Sequence, residues 1–210
     1  MDIKSHANAI WLRSMRGALL VVLICCVPSL YADLLNIDFE GLADGTAITN
    51  QFPGVVFSNA TAVSAGASLN EVEFPPHSGT NVAFDLGGPI VLTFSSLALS
   101  FDGFFTYAAS LTITPFDQSD NPLPVVPSSF SNNFVSSGNP PNEELSASFA
   151  GGISRIVITG DQAGSSFTLD DVTINFAPQA ANVPEPATLF LLSIGIALAS
   201  LRVSRSKNIV

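Results

Sequence analysis

Five carboxylates in two stretches of the chain form its most suggestive set of chemistry-bearing residues. They are Asp38, Glu40, Asp44, Asp170 and Asp171. The first three surround a glycine-containing turn in DFEGLADGT, and the last two are adjacent in SFTLDDVTINF. Carboxylate and carbonyl oxygens are the ligands that Ca²⁺ prefers, and the ion takes about six to eight of them. We therefore expect a structural Ca²⁺ held by both stretches. The alternative is a pair of solvated acidic turns that bind no specific ion.

Residues that would support catalysis are scarce. His77 is the only histidine between the apolar segments at the two ends, and it follows two prolines. Glu71 and Glu73, placed on one face of a strand, could supply the paired carboxylates of a glycosidase. The sequence contains no Gly-x-Ser-x-Gly, His-Glu-x-x-His or phosphate-binding loop. We expect a protein that is not an enzyme, and we assign no catalytic residue.

The charged residues divide the chain into three parts. The basic residues are Lys4, Arg13, Arg16, Arg155, Arg202, Arg205 and Lys207, and all but Arg155 flank the two apolar end segments. From Asp33 to Glu185 the chain has 16 acidic residues and one basic residue, a net charge of −15. A surface of this kind repels phosphate groups but attracts divalent cations. The charge therefore excludes nucleic acid as a partner and a phosphate-binding enzyme site.

The acidic middle part, residues 33–176, has the pattern of a β domain. Short runs such as LLNIDF and ISRIVIT alternate apolar and polar residues and are separated by Gly, Pro, Asn, Asp and Ser. About eight or nine such runs predict an all-β fold, an antiparallel β-sandwich of jelly-roll type. Phenylalanine supplies most of its bulky core residues. The first and last strands of jelly rolls often lie side by side, which would bring the two carboxylate stretches together.

The last predicted strand contains an irregularity. In SFTLDDVTINF the apolar residues occupy one phase up to Leu169 and the other phase from Val172 onward. Because side chains alternate between the two faces of a strand, this change requires one extra residue at Asp170–Asp171. The sequence therefore predicts a β-bulge there, and metal binding would explain two adjacent carboxylates at such a point.

Residues 1–32 have the layout of a secretory signal peptide. A basic region precedes the apolar run Ala18–Val27, and Leu30-Tyr31-Ala32 offers a cleavage site after Ala32. An uncleaved membrane anchor is the alternative, although the run is short for a full span. Cleavage would imply export through the Sec translocon. It would also leave a mature chain without cysteine, because both cysteines lie in the apolar run.

The C-terminal end has three successive parts. After a linker at 177–182 comes the motif Val183, Pro184, Glu185 and Pro186, whose prolines favour extended backbone. Residues 187–203 are apolar apart from Thr188, Ser193, Ser200 and Arg202, and they are long enough for a predicted transmembrane helix in a thin bilayer. The tail at 202–207 is basic through Arg202, Arg205 and Lys207, which predicts a cytoplasmic C-terminus by the positive-inside rule. Both ends would then face the cytoplasm and the acidic middle part would lie outside.

This arrangement closely resembles the PEP-CTERM sorting signal of Gram-negative bacteria over about residues 182 to 207. The resemblance implies recognition by exosortase, a membrane-embedded protease-transpeptidase, and processing near Pro-Glu-Pro. It further implies transient anchoring in the inner membrane, followed by transfer to the cell surface or the exopolysaccharide matrix. The sortase signal Leu-Pro-x-Thr-Gly is not present, and a GPI signal would end in apolar rather than basic residues.

The middle part also looks like carbohydrate-binding jelly rolls, many of which carry a structural calcium in a similar place. Phe104, Phe105 and Tyr107 could form a small sugar-binding platform, although core packing explains them more simply. Trp11, the only tryptophan, lies in the predicted signal peptide. We therefore expect a non-catalytic surface or matrix protein, with a lectin-like module as the alternative and a glycosidase as a weaker one.

Overall fold

The computed structural model describes residues 33–178 and Gly195. The predicted signal peptide, the sorting motif and the predicted membrane helix, apart from Gly195, lie outside these residues. Among the residues described, no helix has the length and hydropathy needed to span a membrane.

Ten β-strands and one short 3₁₀ helix account for the regular structure of residues 33–178. The strands are β1 (Leu34–Ile37), β2 (Ala47–Ile48), β3 (Val55–Ser58), β4 (Ala60–Ser64), β5 (Asn81–Asp85), β6 (Ile90–Tyr107), β7 (Thr112–Phe116), β8 (Val126–Pro127), β9 (Glu143–Thr159) and β10 (Phe167–Phe176). The 3₁₀ helix is Val135–Ser137. Every strand pair is antiparallel. The prediction of an all-β antiparallel fold is therefore confirmed.

The strands are hydrogen-bonded in the order β2-β4-β5-β10-β6-β9-β7-β8, with β1 added beside β10 and β3 beside β6. Two long strands, β6 and β9, run through both halves of this arrangement. The first half of β6 pairs with β3 and with the end of β9, and its second half pairs with β10 and with the start of β9. The register between β6 and β9 shifts between Thr93 and Ser100, where the halves meet. We call the half with β10 the first layer and the half with β3 the second layer.

Aromatic contacts show that the two layers enclose one core. Phe176 of β10 meets Phe94 of the second layer edge to face, with ring centroids 5.9 Å apart. Phe39, which follows β1, makes a similar contact of 6.1 Å with Phe57 of β3. These rings belong to one continuous cluster of buried apolar residues. Two antiparallel layers packed around a shared core form a β-sandwich, as the sequence predicts.

The first and last strands pair as expected. Leu34 of β1 lies opposite Asn175 of β10, and Ile37 lies opposite Val172. Next to this ladder the Phe176 N–H donates to the Asp33 carbonyl at 2.9 Å. The register between β10 and β6 shifts between Asp170 and Thr173, and Asp171 has a φ of +43°. The predicted bulge is therefore confirmed, and it places the two carboxylates within β10, next to the end of β1.

Candidate functional site

The carboxylates at the bulge hold a loop that comes from another part of the chain. This loop, residues 75–81 (PPHSGTN), leads into β5 and is called here the clamped loop. Asp170 Oδ2 accepts the backbone N–H groups of His77 at 2.8 Å and Ser78 at 3.0 Å. Asp170 is buried, with only 2% of its surface exposed. A strand residue therefore fixes the backbone of a loop 93 residues earlier in the chain.

Asp171 binds the side chains of the same two loop residues. Its Oδ2 lies 2.6 Å from His77 Nδ1, and its Oδ1 accepts the Ser78 hydroxyl at 2.9 Å. The His77 ring stacks on Phe104 of β6, with centroids 3.6 Å apart and planes inclined by 6°. The two neighbouring carboxylates at the bulge therefore bind different parts of the loop. Asp170 binds its backbone, and Asp171 binds its side chains.

Glu40 fixes the end of the clamped loop. Its Oε1 accepts the backbone N–H groups of Thr80 and Asn81, both at 2.7 Å. The Thr80 N–H lowers the pKa of Glu40 most strongly, against the smaller opposing effect of burial. Gly79 has a φ of +56°, and a Cβ added there would come within 2.3 Å of Glu40 Oε1. A side chain at this position would therefore have to displace the Glu40 carboxylate.

Burial dominates the electrostatics of Asp170. It raises the pKa of this carboxyl to about 6, and the Ser78 N–H opposes the rise. A buried carboxylate that receives backbone N–H groups is stabilised by them but still lacks the hydration that it would have in water. Asp170 is thus an acid whose ionisation depends on the clamped loop staying in place.

The five residues predicted to bind calcium lie in different surroundings. Glu40, Asp170 and Asp171 hold the clamped loop, whereas Asp38 accepts the Glu40 N–H and Asp44 accepts the Ser64 N–H at 2.8 Å. In residues 33–178 no group of three or more His, Cys, Asp or Glu is arranged to hold a metal ion. The calcium hypothesis gains no support from this geometry and stays a prediction.

The clamped loop brings a serine, a histidine and an aspartate together without forming a catalytic relay. The Ser78 hydroxyl donates to Asp171 rather than to the His77 ring, so the histidine is not placed to remove its proton. Glu71 and Glu73 lie in a turn, not on a strand face as the glycosidase alternative requires. Glu73 Oε2 accepts the Ser136 N–H at 2.9 Å. The predicted placement of these two residues on one strand face is therefore wrong.

The predicted aromatic platform is also not formed. Phe105 and Tyr107 are fully buried, and only Phe104 of the three is partly exposed. The Tyr107 hydroxyl donates to Glu143, and burial, reinforced by this contact, raises the pKa of Tyr107 to about 12. Core packing explains Phe105 and Tyr107, as the simpler interpretation of the sequence proposes. The stack of His77 on Phe104 has no signal in the sequence, because the two residues come from separate segments.

The chain is thus an all-β protein whose sequence ends in a sorting signal. That signal is the PEP-CTERM protein-sorting motif, whose family model matches residues 182–206. The match includes Val183, Pro184, Glu185 and Pro186, which lie outside the described residues. The motif implies an exported protein that is processed by exosortase and has a cell-surface destination.

Similar solved structures share only distant likeness with this chain. The K2 cleaved adhesin domain of Lys-gingipain aligns with a TM-score of 0.46 and 13% identity, covering 68% of this chain and 99% of that one. A CBM29-2 carbohydrate-binding module complexed with mannohexaose aligns with a TM-score of 0.41 and 13% identity, covering 74% and 99%. The CBM22-1 xylan-binding domain of Paenibacillus barcinonensis Xyn10C gives 0.40 and 13%, covering 72% and 99%. No curated protein matches the chain.

Proposed function

We propose that this chain is a non-catalytic protein of the cell surface or the exopolysaccharide matrix. It is exported through the Sec translocon and held transiently in the inner membrane by its C-terminal segment. Exosortase then processes it near Val183-Pro184-Glu185-Pro186. The observation that carries this proposal is the sorting motif matched at residues 182–206.

The distribution of charge supports the proposed route. All basic residues except Arg155 flank the two apolar end segments. The part of the chain between them, from Asp33 to Glu185, is acidic and is the part to be exported. Basic residues beside apolar segments stay on the cytoplasmic side of the membrane. The two ends therefore favour the same topology, with the β-sandwich outside.

The β-sandwich supports a structural rather than a catalytic role. Its core is built from phenylalanine and aliphatic residues and contains no cysteine. Among the described residues, no buried side-chain nitrogen or oxygen lacks a hydrogen-bond partner. The polar groups near the bulge are occupied in fixing the clamped loop, so they act on the fold itself. A domain of this kind does not depend on the redox state of its surroundings.

Replacement of the sorting motif tests the proposed processing. We expect the unaltered protein to be released from producing cells with a C-terminus near Glu185, as measured by intact-protein mass spectrometry. The triple variant Pro184→Ala, Glu185→Ala, Pro186→Ala should remain in the membrane fraction and keep its basic tail, because the recognised motif is gone. A matched variant, Gln179→Ala, lies outside the matched residues and should be processed normally. Release of the triple variant with the same C-terminus as the unaltered protein would refute the proposal.

A further inference from the structure

Four strands of the first layer place polar side chains in rows across their outward face. In one row Asn36 of β1 lies opposite Thr173 of β10, Thr173 opposite Asp102 of β6, and Asp102 opposite Ser146 of β9. In the next row Asn175, Ser100 and Ser148 are opposite one another in the same way, and the exposed Leu34 of β1 completes the row opposite Asn175. All seven polar residues are exposed or half-buried. We call these two rows the polar face.

The residues between these positions point the other way, into the core. Ile37, Ile174, Phe101 and Leu145 are buried, with exposures of 0–5%. The strict alternation means that the polar face is as regular as the strands beneath it. Neighbouring strands lie about 4.8 Å apart, so each row presents hydrogen-bonding groups at that interval. The first row, across four strands, extends for about 14 Å.

The chemistry of the polar face is that of short hydroxyl, amide and carboxylate side chains. Hydroxyl and amide groups both donate and accept hydrogen bonds, and Asp102 accepts only. Thr173 Oγ1 donates to Asn36 Oδ1 at 3.0 Å, which fixes two neighbouring groups in the row. Short side chains lose little conformational entropy when a ligand immobilises them. Such a surface suits a ligand with many hydroxyl groups along an extended chain.

An aromatic pair borders the polar face at one end. Phe104 lies two residues beyond Asp102 on the same face of β6, and His77 stacks on it. Asp171 fixes the imidazole through Nδ1, yet 39% of the His77 side chain stays exposed. A sugar ring presents hydroxyl groups at its rim and C–H groups on its faces. The polar rows with a flat ring beside them match both kinds of group.

Charge decides which kind of polysaccharide fits. The ionisable groups on or beside the polar face are Asp102, Asp171, His77 and Glu144. Arg155 is the one Lys or Arg among residues 33–178; it belongs to the second layer, where it lies over Phe116 and binds Asp120. A surface with this excess of carboxylates repels polyanions. The surface therefore disfavours anionic polysaccharides, and its hydroxyl and amide groups suit the hydroxyl groups of a neutral one.

We propose that the polar face, with the His77–Phe104 pair at its border, binds a neutral polysaccharide. This inference rests on the proposed function for the destination of the protein, where such a polymer would be met. Its physical basis is separate, because it depends on the first layer and not on the sorting motif.

Affinity electrophoresis of the full-length chain tests the proposal. The protein is purified in a detergent without a sugar headgroup and run through gels that contain dextran, galactomannan, mixed-linkage β-glucan or alginate. We expect retardation by at least one of the three neutral polymers and none by alginate, which is anionic. The variant Asn36→Ala, Asp102→Ala, Ser146→Ala should bind that polymer at least about tenfold more weakly, since three hydrogen-bonding groups are lost.

A matched variant controls for general effects of surface change. Thr93→Ala, Thr114→Ala removes two outward hydroxyl groups from the second layer and should bind as the unaltered protein does. Equal urea-unfolding midpoints for the three proteins would show that the sandwich is intact. The proposal is overturned if no neutral polymer retards the protein, if both variants lose binding equally, or if alginate binds, with or without calcium. Because polymer binding is measured on the purified protein, independently of its processing in cells, failure here leaves the processing experiment unaffected.

Discussion

Asp85 is a buried acid that holds the start of the last strand. Asp85 is fully buried. Its Oδ1 accepts the backbone N–H groups of Ser166 at 2.8 Å and Phe167 at 2.9 Å. Its Oδ2 accepts the Ser166 hydroxyl at 2.8 Å. Burial raises the pKa of Asp85 above its usual 3.8, although these donors oppose the rise. The ionised form of Asp85 therefore destabilises the folded state relative to a neutral group of the same shape.

Comparison with the variant Asp85→Asn reveals this destabilisation, because the difference in the free energy of unfolding between the two proteins changes with pH. The folded protein binds the proton of Asp85 more tightly than the unfolded chain does, so stability due to this group falls as pH rises. We expect the free energy of unfolding of the unaltered protein, relative to Asp85→Asn, to fall as pH increases from below 3.8 through the raised pKa. Urea unfolding at a series of pH values measures it.

Asp117 provides a control of opposite sign. The Asn121 side chain and backbone N–H groups lower the pKa of this exposed carboxyl. Its stabilising effect is present above the unfolded pKa and is lost as pH falls through the lowered value. The difference between the unaltered protein and Asp117→Asn should therefore rise with pH, though weakly, because the group is solvated. If both differences change in the same direction with pH, the assignment for Asp85 is wrong.

At the scale of elements, the clamped loop shows how a bulge joins distant segments. Asp170, Asp171 and Glu40 bind its backbone and side chains from two different strands or their ends. Apart from Asn81, which begins β5, the loop has no regular secondary structure of its own. Its conformation is therefore determined by these carboxylates rather than by local preference.

Gly79→Ala tests whether Glu40 holds the loop. The new Cβ would displace the Glu40 carboxylate and break its bonds to Thr80 and Asn81, in addition to straining a positive φ. We expect a loss of about 2–3 kcal/mol in the free energy of unfolding. Gly66→Ala is the matched control, because Gly66 has a φ of +76° and nothing within 4 Å of its Cβ position. It should cost only about 1 kcal/mol.

A second substitution identifies the source of the difference. In the Glu40→Ala background the carboxylate is absent, so Gly79→Ala should cost no more than Gly66→Ala does. Non-additivity of this kind is expected for residues in contact or in one hydrogen-bond network, and not for distant, independent sites. An unchanged cost of Gly79→Ala in that background would rule out the proposed contact as its cause.

The strand pattern and the bulge were predictable from the sequence, whereas the long strands and the clamp were not. The change of phase at Asp170–Asp171 is visible because alternation is a local property of the chain. PIVLTFSS and LALSFDGFF look like separate strands, yet both belong to β6, since a register shift can be absorbed within one strand. Gly151 and Gly152 look like a turn but lie within β9. The Asp170–His77 contact spans 93 residues, and no local pattern encodes it.

For the whole molecule, charge opposes compactness. Residues 33–178 contain 15 acidic residues and one basic residue. The Debye length falls from about 30 Å at 0.01 M salt to about 4 Å at 0.5 M, so salt screens their repulsion. We expect the unfolding midpoint of the purified protein to rise between these two NaCl concentrations. A midpoint that stays constant or falls would mean that repulsion between the acidic residues has little effect on the stability of the fold.

Divalent ions at constant ionic strength extend this measurement to the calcium hypothesis. Specific binding to the folded state raises the midpoint beyond the effect of screening. If Asp38, Glu40, Asp44, Asp170 and Asp171 provide ligands, CaCl₂ should stabilise the protein more than MgCl₂ does, because flexible oxygen sites favour the larger ion. Equal midpoints in the two salts would exclude a structural calcium.

The position of β10 has a mechanical consequence. Near its end, β10 is hydrogen-bonded to β1 on one side and to β6 on the other, and the Phe176 N–H is bonded to the Asp33 carbonyl. A pull along the axis of β10 from its C-terminal end would therefore act on a strand that is held on both flanks. The hydrogen bonds of both ladders would bear that load together in shear instead of opening one after another. The sandwich thus resists tension applied in this direction with two ladders rather than one.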